Sequence, residues 1–225
     1  MNTMFVDSVA LRQSGDALIG IPLALRARGR ASVLCKMILD VVHEVAHVDR
    51  VHTPLVIGSA LGEMETTHAL LEQIFSEDSA SPLRFQNSVH NTACGLWSMA
   101  CGQTAPSMAI AAGHDTLAMA LLEAYGYLYE YGGKILVAVG DEAASGVLYG
   151  ANTWDAMAAG FLVTLEKTDK CMATIHMPQR VRDEDHAPNE NPCAAAVDLA
   201  LRIREHRSGD IHIGRWRMRV EFCDG

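Results

Sequence analysis

The run Lys134–Val139 (KILVAV) constrains the fold more than any other feature of the chain. A strand that is apolar at successive positions needs cover on both faces, as in a sheet held between two layers of helices. The residues before it fit the same picture. Thr116–Tyr131 reads as a long helix closed by Gly132 and Gly133. Ser107–Ala112 is a run of small and apolar residues that reads as a buried strand. Strand, helix and strand in that order are the unit of a layered α/β domain.

The remaining elements follow from periodicity and punctuation. Met4–Ala10, Leu55–Ala60, Phe161–Glu166, Cys171–Met177 and Asp210–Cys223 read as strands. Ser32–Val48 reads as a helix, with Leu34, Met37, Ile38, Val41, Val42 and Val45 on one face. Met64–Phe75 reads as a helix with Leu70, Leu71 and Ile74 turned inward, and Thr92–Cys101 as a helix closed by Gly102. Pro192–Glu205 is a helix with proline near its start. Ser76–Leu83 reads as a loop, and the polar run Val181–Asn191 as an exposed, mobile one. The expectation is one domain over residues 1–225, with a mixed, mostly parallel sheet and helices on both faces.

Bulk properties exclude some functions. The formal charge of −9 argues against a nucleic-acid binder, whose footprint is a basic face. No apolar run approaches the roughly 18 residues of a membrane span. Met1–Ala10 has no basic stretch of the kind that opens a signal peptide. The six cysteines include no C-x-x-C pair. Read as free thiols, they point to the cytoplasm. No cofactor is expected.

Three blocks carry a family resemblance. They are SVHNTACGLWSMACG (Ser88–Gly102), KILVAVGDE (Lys134–Glu142) and AAGFLVTLE (Ala158–Glu166). In this order and spacing they resemble the N-terminal half of β-ketoacyl synthases. The likeness is strongest to truncated ketosynthase-like proteins of aryl-polyene and xanthomonadin-type gene clusters. It covers most of residues 30–166. The resemblance implies a thiolase-like half-fold and a subunit resembling a chain length factor. Such a subunit would pair with a full-length ketosynthase and shape the tunnel that limits the growing acyl chain. An acyl carrier protein is a further implied partner, and a homodimer stays open. Thiolase-like proteins pair across the strand before the nucleophile turn, here Ser107, Met108, Ala109, Ile110, Ala111 and Ala112.

A ketosynthase nucleophile is a cysteine between a strand and a long helix, where the helix N-terminus helps hold the thiolate. Matching Thr92-Ala93-Cys94 to the family's T-A-C letters would make Cys94 the nucleophile, but Gln86–Asn91 before it is too polar for a strand. Matching strand to strand and helix to helix places His114, in the turn Gly113-His114-Asp115, where the cysteine would stand. That second register is favoured. His176, His186, His206 and His212 in the tail lack the motifs around the family's two catalytic histidines. The chain therefore reads as a partner subunit without catalytic residues.

Other signals compete. His43-Glu44-Val45-Ala46-His47 is an H-E-x-x-H string on a predicted helix, the pattern of zinc hydrolases. On a helical wheel the two histidines share a polar face with Lys36 and Asp40, so a solvated helix face is the favoured reading. Glu63, Glu65, Asp49 and His52 are the nominal third ligands. Cys94 and Cys101 share a helix face and read as packing. Asp115 reads as a helix N-cap rather than the partner of His114 in acid–base work. Arg215, Arg217 and Arg219 alternate along a predicted strand, which sets all three on one face. Charge protection of an edge strand is favoured there over docking of an acidic partner.

Overall fold

The computed structural model describes residues 3–18, 20, 31–144, 153–181 and 190–223. Its strands are β1 (Thr3–Gln13), β2 (Leu55–Gly58), β3 (Ser107–Ile110), β4 (Lys134–Asp141), β5 (Met157–Thr164), β6 (Ala173–His176), β7 (Gln179–Arg180), β8 (Gly209–Ile213) and β9 (Trp216–Phe222). Its helices are α1 (Val33–Val45), α2 (Met64–Glu77), α3 (Pro82–Asn87), α4 (Thr92–Cys101), α5 (Thr116–Tyr131) and α6 (Ala194–Arg204). All the strands join one sheet in the order β3-β2-β4-β5-β1-β6-β9-β7, with β8 on the other side of β9.

Alternation along β4 explains its composition. Leu136 and Ala138 face α1 and α4, together with Leu55, Ile57, Ala158 and Leu162. Ile135, Val137 and Val139 face α5 and α6, together with Val56, Phe161 and Val163. Each side chain from Ile135 to Val139 is thus fully buried, and the sheet is covered on both faces as the sequence requires. Gly160 lets α1 lie close, because a Cβ there would come within 3.0 Å of the Val41 backbone.

Several expectations change. The sheet is not mostly parallel: only β2 with β3 and β2 with β4 run parallel, and every other pairing is antiparallel. Strand content alone could not set direction: β4 and β5, consecutive in the chain, pair antiparallel. β3 is not buried. It forms the end of the sheet, with Ser107 and Ala109 exposed, and it stops at Ile110. The predicted loop at Ser76–Leu83 is two helix ends, since α2 runs to Glu77 and Pro82 opens α3 with Ser81 as its cap. Leu71 and Ile74 are exposed rather than inward. Asp210–Cys223 is a hairpin, and β9 lies inside the sheet rather than at its edge. Apart from its ends, the loop Val181–Asn191 lies outside the described residues. Those ends are anchored: Val181 N donates to Arg215 O, and Asn191 is buried.

The cysteines are not all free. Cys171 and Cys223 form a disulfide beside the β6–β9 pairing, so cysteine usage no longer speaks for a reducing compartment. Cys35, Cys94, Cys101 and Cys193 are free. Among the described residues, no helix is long and apolar enough to cross a membrane.

Candidate functional site

The loops that follow β2, β3 and β4 meet at the carboxyl ends of the parallel strands, the usual place for a site in such a sheet. After β3 the chain makes one 3-10 turn, Gly113–Asp115, and enters α5. Thr116 holds this corner. Its hydroxyl donates to Gly113 O at 2.6 Å and accepts from Ala112 N at 3.1 Å. His114 is half-buried in the turn.

Asp115 does not cap α5 with its side chain. Its carboxylate instead accepts from Arg215 N at 2.8 Å, Arg215 Nε at 2.9 Å and Arg215 Nη2 at 2.6 Å. Burial pushes the carboxyl upward, but the Arg215 N–H and guanidinium outweigh it and hold the group below its ordinary value. The tip of the β8–β9 hairpin therefore closes over the turn. Gly214 makes the approach feasible at φ +56: a Cβ there would collide with the Asp115 carboxylate and sit 2.8 Å from His114 O. Arg215 consequently stands in a hairpin turn, not on a face with Arg217 and Arg219. Those two lie near Asp210, and Arg219 Nε also meets Glu221 at 2.9 Å.

A buried acidic wall stands beside this corner. Asp141 accepts from Ser59 Oγ, Ala60 N, Leu61 N and Cys193 Sγ, which fixes the loop after β2. Burial still raises its pKa. Glu63 accepts from Ser32 Oγ at 3.1 Å and Cys35 Sγ at 3.0 Å. Glu142 accepts from Glu65 N at 2.9 Å through Oε2, while its buried Oε1 has no partner. Burial pushes the Glu142 carboxyl up to about 7, and the charges of Glu63 and Glu65 add to the shift. The His90 ring meets Ser59 O at 2.7 Å. These groups hold loops together. The thiols among them are raised, not activated, because burial and the adjacent carboxylates disfavour the thiolate.

Cys94 is not in a strand-to-helix corner. It sits on the buried side of α4, with its thiol 3.7 Å from Met108 O, and burial pushes it up to about 11. A helix and a turn precede it, not a strand. The H-E-x-x-H string is broken by the helix end. α1 stops at Val45, so His43 is half-buried on the helix while His47 is exposed beyond it. Burial, aided by Arg50, lowers the His43 pKa. Glu44 is held by Arg12 Nη2 at 2.5 Å. Of the nominal third ligands, Glu63 is tied to Ser32 and Cys35, Glu65 gives its backbone N–H to Glu142, and Asp49 pairs with His52 on the surface. The face itself is not solvated: Asp40 is buried, with Arg12 Nε at 2.6 Å and Gly20 N at 2.6 Å.

Known proteins can now be set beside this geometry. Residues 17–216 match the family described as beta-ketoacyl synthase, N-terminal domain. Among solved structures, one likeness is to a ketosynthase (ApeO) in complex with its chain length factor (ApeC) from Xenorhabdus doucetiae. It has a TM-score of 0.74 at 17% identity and covers 97% of this chain and 99% of that one. Another is to an AntDE:AntF type II complex of an acyl-carrier protein with its ketosynthase, at TM-score 0.77 and 9% identity, covering 99% and 100%. A third, ketosynthase twelve of the bacillaene polyketide synthase of Bacillus amyloliquefaciens, gives TM-score 0.56 at 10% identity, with 82% of this chain and 46% of that chain covered. No curated protein sequence matches. The architecture is thus that of a thiolase-like ketosynthase half-fold. The chain belongs to the beta-ketoacyl synthase N-terminal domain family.

Sequence reasoning missed the Arg12–Asp40–Glu44 pairing, the Asp115–Arg215 clasp and the buried trio Asp141, Glu142 and Glu63. A usable signal existed for the first. Arg12 lies in a mainly apolar strand, and Asp40 lies on a helix most of whose residues are apolar; each needs a partner if buried.

Proposed function

We propose that this chain is a non-catalytic subunit resembling a chain length factor. It pairs with a full-length ketosynthase through β3 and acts in polyketide, aryl-polyene or fatty-acid-type chain elongation in the cytoplasm. One observation carries the reading. The corner between β3 and α5 holds Gly113, His114 and Asp115, and Asp115 is committed to Arg215. No thiol stands at that corner. His114 occupies the nucleophile-equivalent position, and an imidazole there has no acyl-accepting cysteine to serve. The interface assigned to Ser107–Ala112 is supported by the position of β3 at the end of the sheet, with its outer backbone edge without a strand partner among the described residues. The similar structure that contains a ketosynthase with a chain length factor supports the choice of partner. An acyl carrier protein is the expected further partner of the pair.

The test is co-expression with the ketosynthase encoded nearest to this chain, purification through a tag on this chain alone, and light scattering. A one-to-one complex that makes product only as the pair, and keeps making it with His114→Ala, is the expected result. Product formation by this chain alone, or its persistence as a lone chain beside the ketosynthase, would overturn the reading.

A further inference from the structure

Helices α2 and α3 stand off the sheet. Leu70 is the only buried side chain of α2, and α3 buries none. The two pack chiefly on each other, with a cleft of ≈ 380 Å³ between them lined by Glu65, Thr66, Ala69, Leu83, Arg84 and Asn87. This arm nevertheless exposes large apolar side chains: Phe75 is 86% exposed, Phe85 62% and Leu71 45%. Ile74, Leu83 and Val89 add to them. Single exposed apolar residues are ordinary, but a group of this kind on two neighbouring helices marks a surface that another molecule covers.

Position and size point to the occupant. The base of the arm adjoins the end of β3. Ser59 N donates to Ile110 O at 3.0 Å, the His90 ring meets Ser59 O at 2.7 Å, and Cys94 Sγ lies 3.7 Å from Met108 O. β3 itself has four residues. A stable interface needs roughly 800 Å² and 20–30 residues on each side, so the edge strand cannot supply one alone. The arm is the adjacent apolar surface that can complete it.

Charge selects between a second copy and a different subunit. The arm carries Glu65, Glu72, Glu77 and Asp78 against Arg84. The whole chain is at −9, so a second copy brings more of the same sign to the contact. Resting on the partner-subunit reading above, we infer that the α2–α3 arm clamps the subunit paired at β3. The surface it takes there is an apolar hollow rimmed by lysine and arginine, with Phe75 and Phe85 as the anchors.

The experiment measures affinity for the purified ketosynthase by calorimetry, using wild type, the double variant Phe75→Ser/Phe85→Ser, and Glu72→Lys. Both phenylalanines are exposed, so melting curves of the isolated variants should match wild type. The expected result is binding weakened roughly thirtyfold or more for the double variant. Glu72→Lys should weaken it less, with an effect that fades as salt rises. A double variant that binds like wild type would sink the clamp and leave the partner reading standing. Wild type that does not bind the ketosynthase would sink both. Wild type that dimerises with itself, and is made monomeric by the double variant, would reassign the arm to a second copy and overturn the occupant named here.

Discussion

β3 and β4 flank the same strand, both parallel to β2 and paired to it residue for residue, yet their surroundings are opposite. β4 is buried from Ile135 to Asp141 and has neighbours on both edges. β3 exposes Ser107 and Ala109 and has a neighbour on one edge. Edge strands that must stay in water usually carry lysine, proline or an inward charge to stop pairing. The SMAI of β3 carries none of these. An unguarded edge next to an arm of exposed apolar residues is where the proposed partner would sit, whereas β4 is the interior of a domain.

The largest expected effect tests that contrast directly. Phe161, which pairs with Val137 of β4, is fully buried. Phe161→Ala should cost about 3–5 kcal/mol by the loss of buried area and the cavity left behind. Met108→Ala on β3 should cost about 1 kcal/mol or less in the isolated chain, since Met108 is only partly buried. Urea melts of both variants decide the matter. Equal losses would mean that β3 is as much interior as β4, and the contrast would fail.

Legibility in the sequence followed the same division. Both-faced apolar runs and long amphipathic helices showed from composition, because interior positions demand apolar side chains whatever the neighbours are. So β4, α1 and α5 were readable, and with them the family. Edge status was not. Ser107–Ala112 has the small and apolar residues of a buried strand, and only the pairing order reveals that one side is uncovered. Leu71 and Ile74 misled for the same reason: their helical spacing marks an apolar face, but it cannot say whether this chain or another covers it. At the site, the turn Gly113–Asp115 was legible as the break between an apolar run and a long helix. The role of Asp115 was not, because its partner Arg215 lies 100 residues away and no local pattern links the two.

The second prediction concerns the rim of β4, where the interior admits acids. Glu142 is 3% exposed, and its carboxyl is raised from 4.5 to about 7. A folded-state value above the unfolded one favours the protonated form in the fold. The associated stability is therefore complete below about pH 4.5 and is lost as pH rises through about 7. The loss is on the order of 3 kcal/mol. Glu142→Gln keeps the shape without the charge. Urea melts between pH 4.5 and 8 should show wild type weakening relative to the variant across that window, with the variant the more stable at pH 8. Parallel curves for the two proteins would place a counter-charge on Glu142 and remove it from the acidic wall. Asp141 and Glu63 are raised by burial too, and that burial contribution is common to both proteins, so the difference between the curves reports the Glu142 charge together with its repulsion from Glu63 and Glu65.

The smallest effect lies at the corner between the two regions. Asp115 joins the end of β3 to the C-terminal hairpin through three hydrogen bonds from Arg215, one of them from its backbone N–H. Asp115→Ala would leave that N–H unsatisfied, while the half-exposed guanidinium can turn to water. The expected cost is about 1–2 kcal/mol, below that of a fully buried pair. The pH dependence has the opposite sign to that of Glu142. The Asp115 carboxyl is held below its ordinary value, so its contribution is present above the unfolded pKa of 3.8 and is lost as pH falls through the lower folded one. Wild type and Asp115→Ala should therefore converge in acid and separate near neutrality. Hydrogen exchange localises the effect: faster exchange of the Arg215 amide and of the β8–β9 hairpin, with β4 unchanged, is the signature of a clasp at the rim. If β4 exchanged faster as well, the corner would belong to the interior, and the line drawn between β3 and β4 would have to move outward past Asp115.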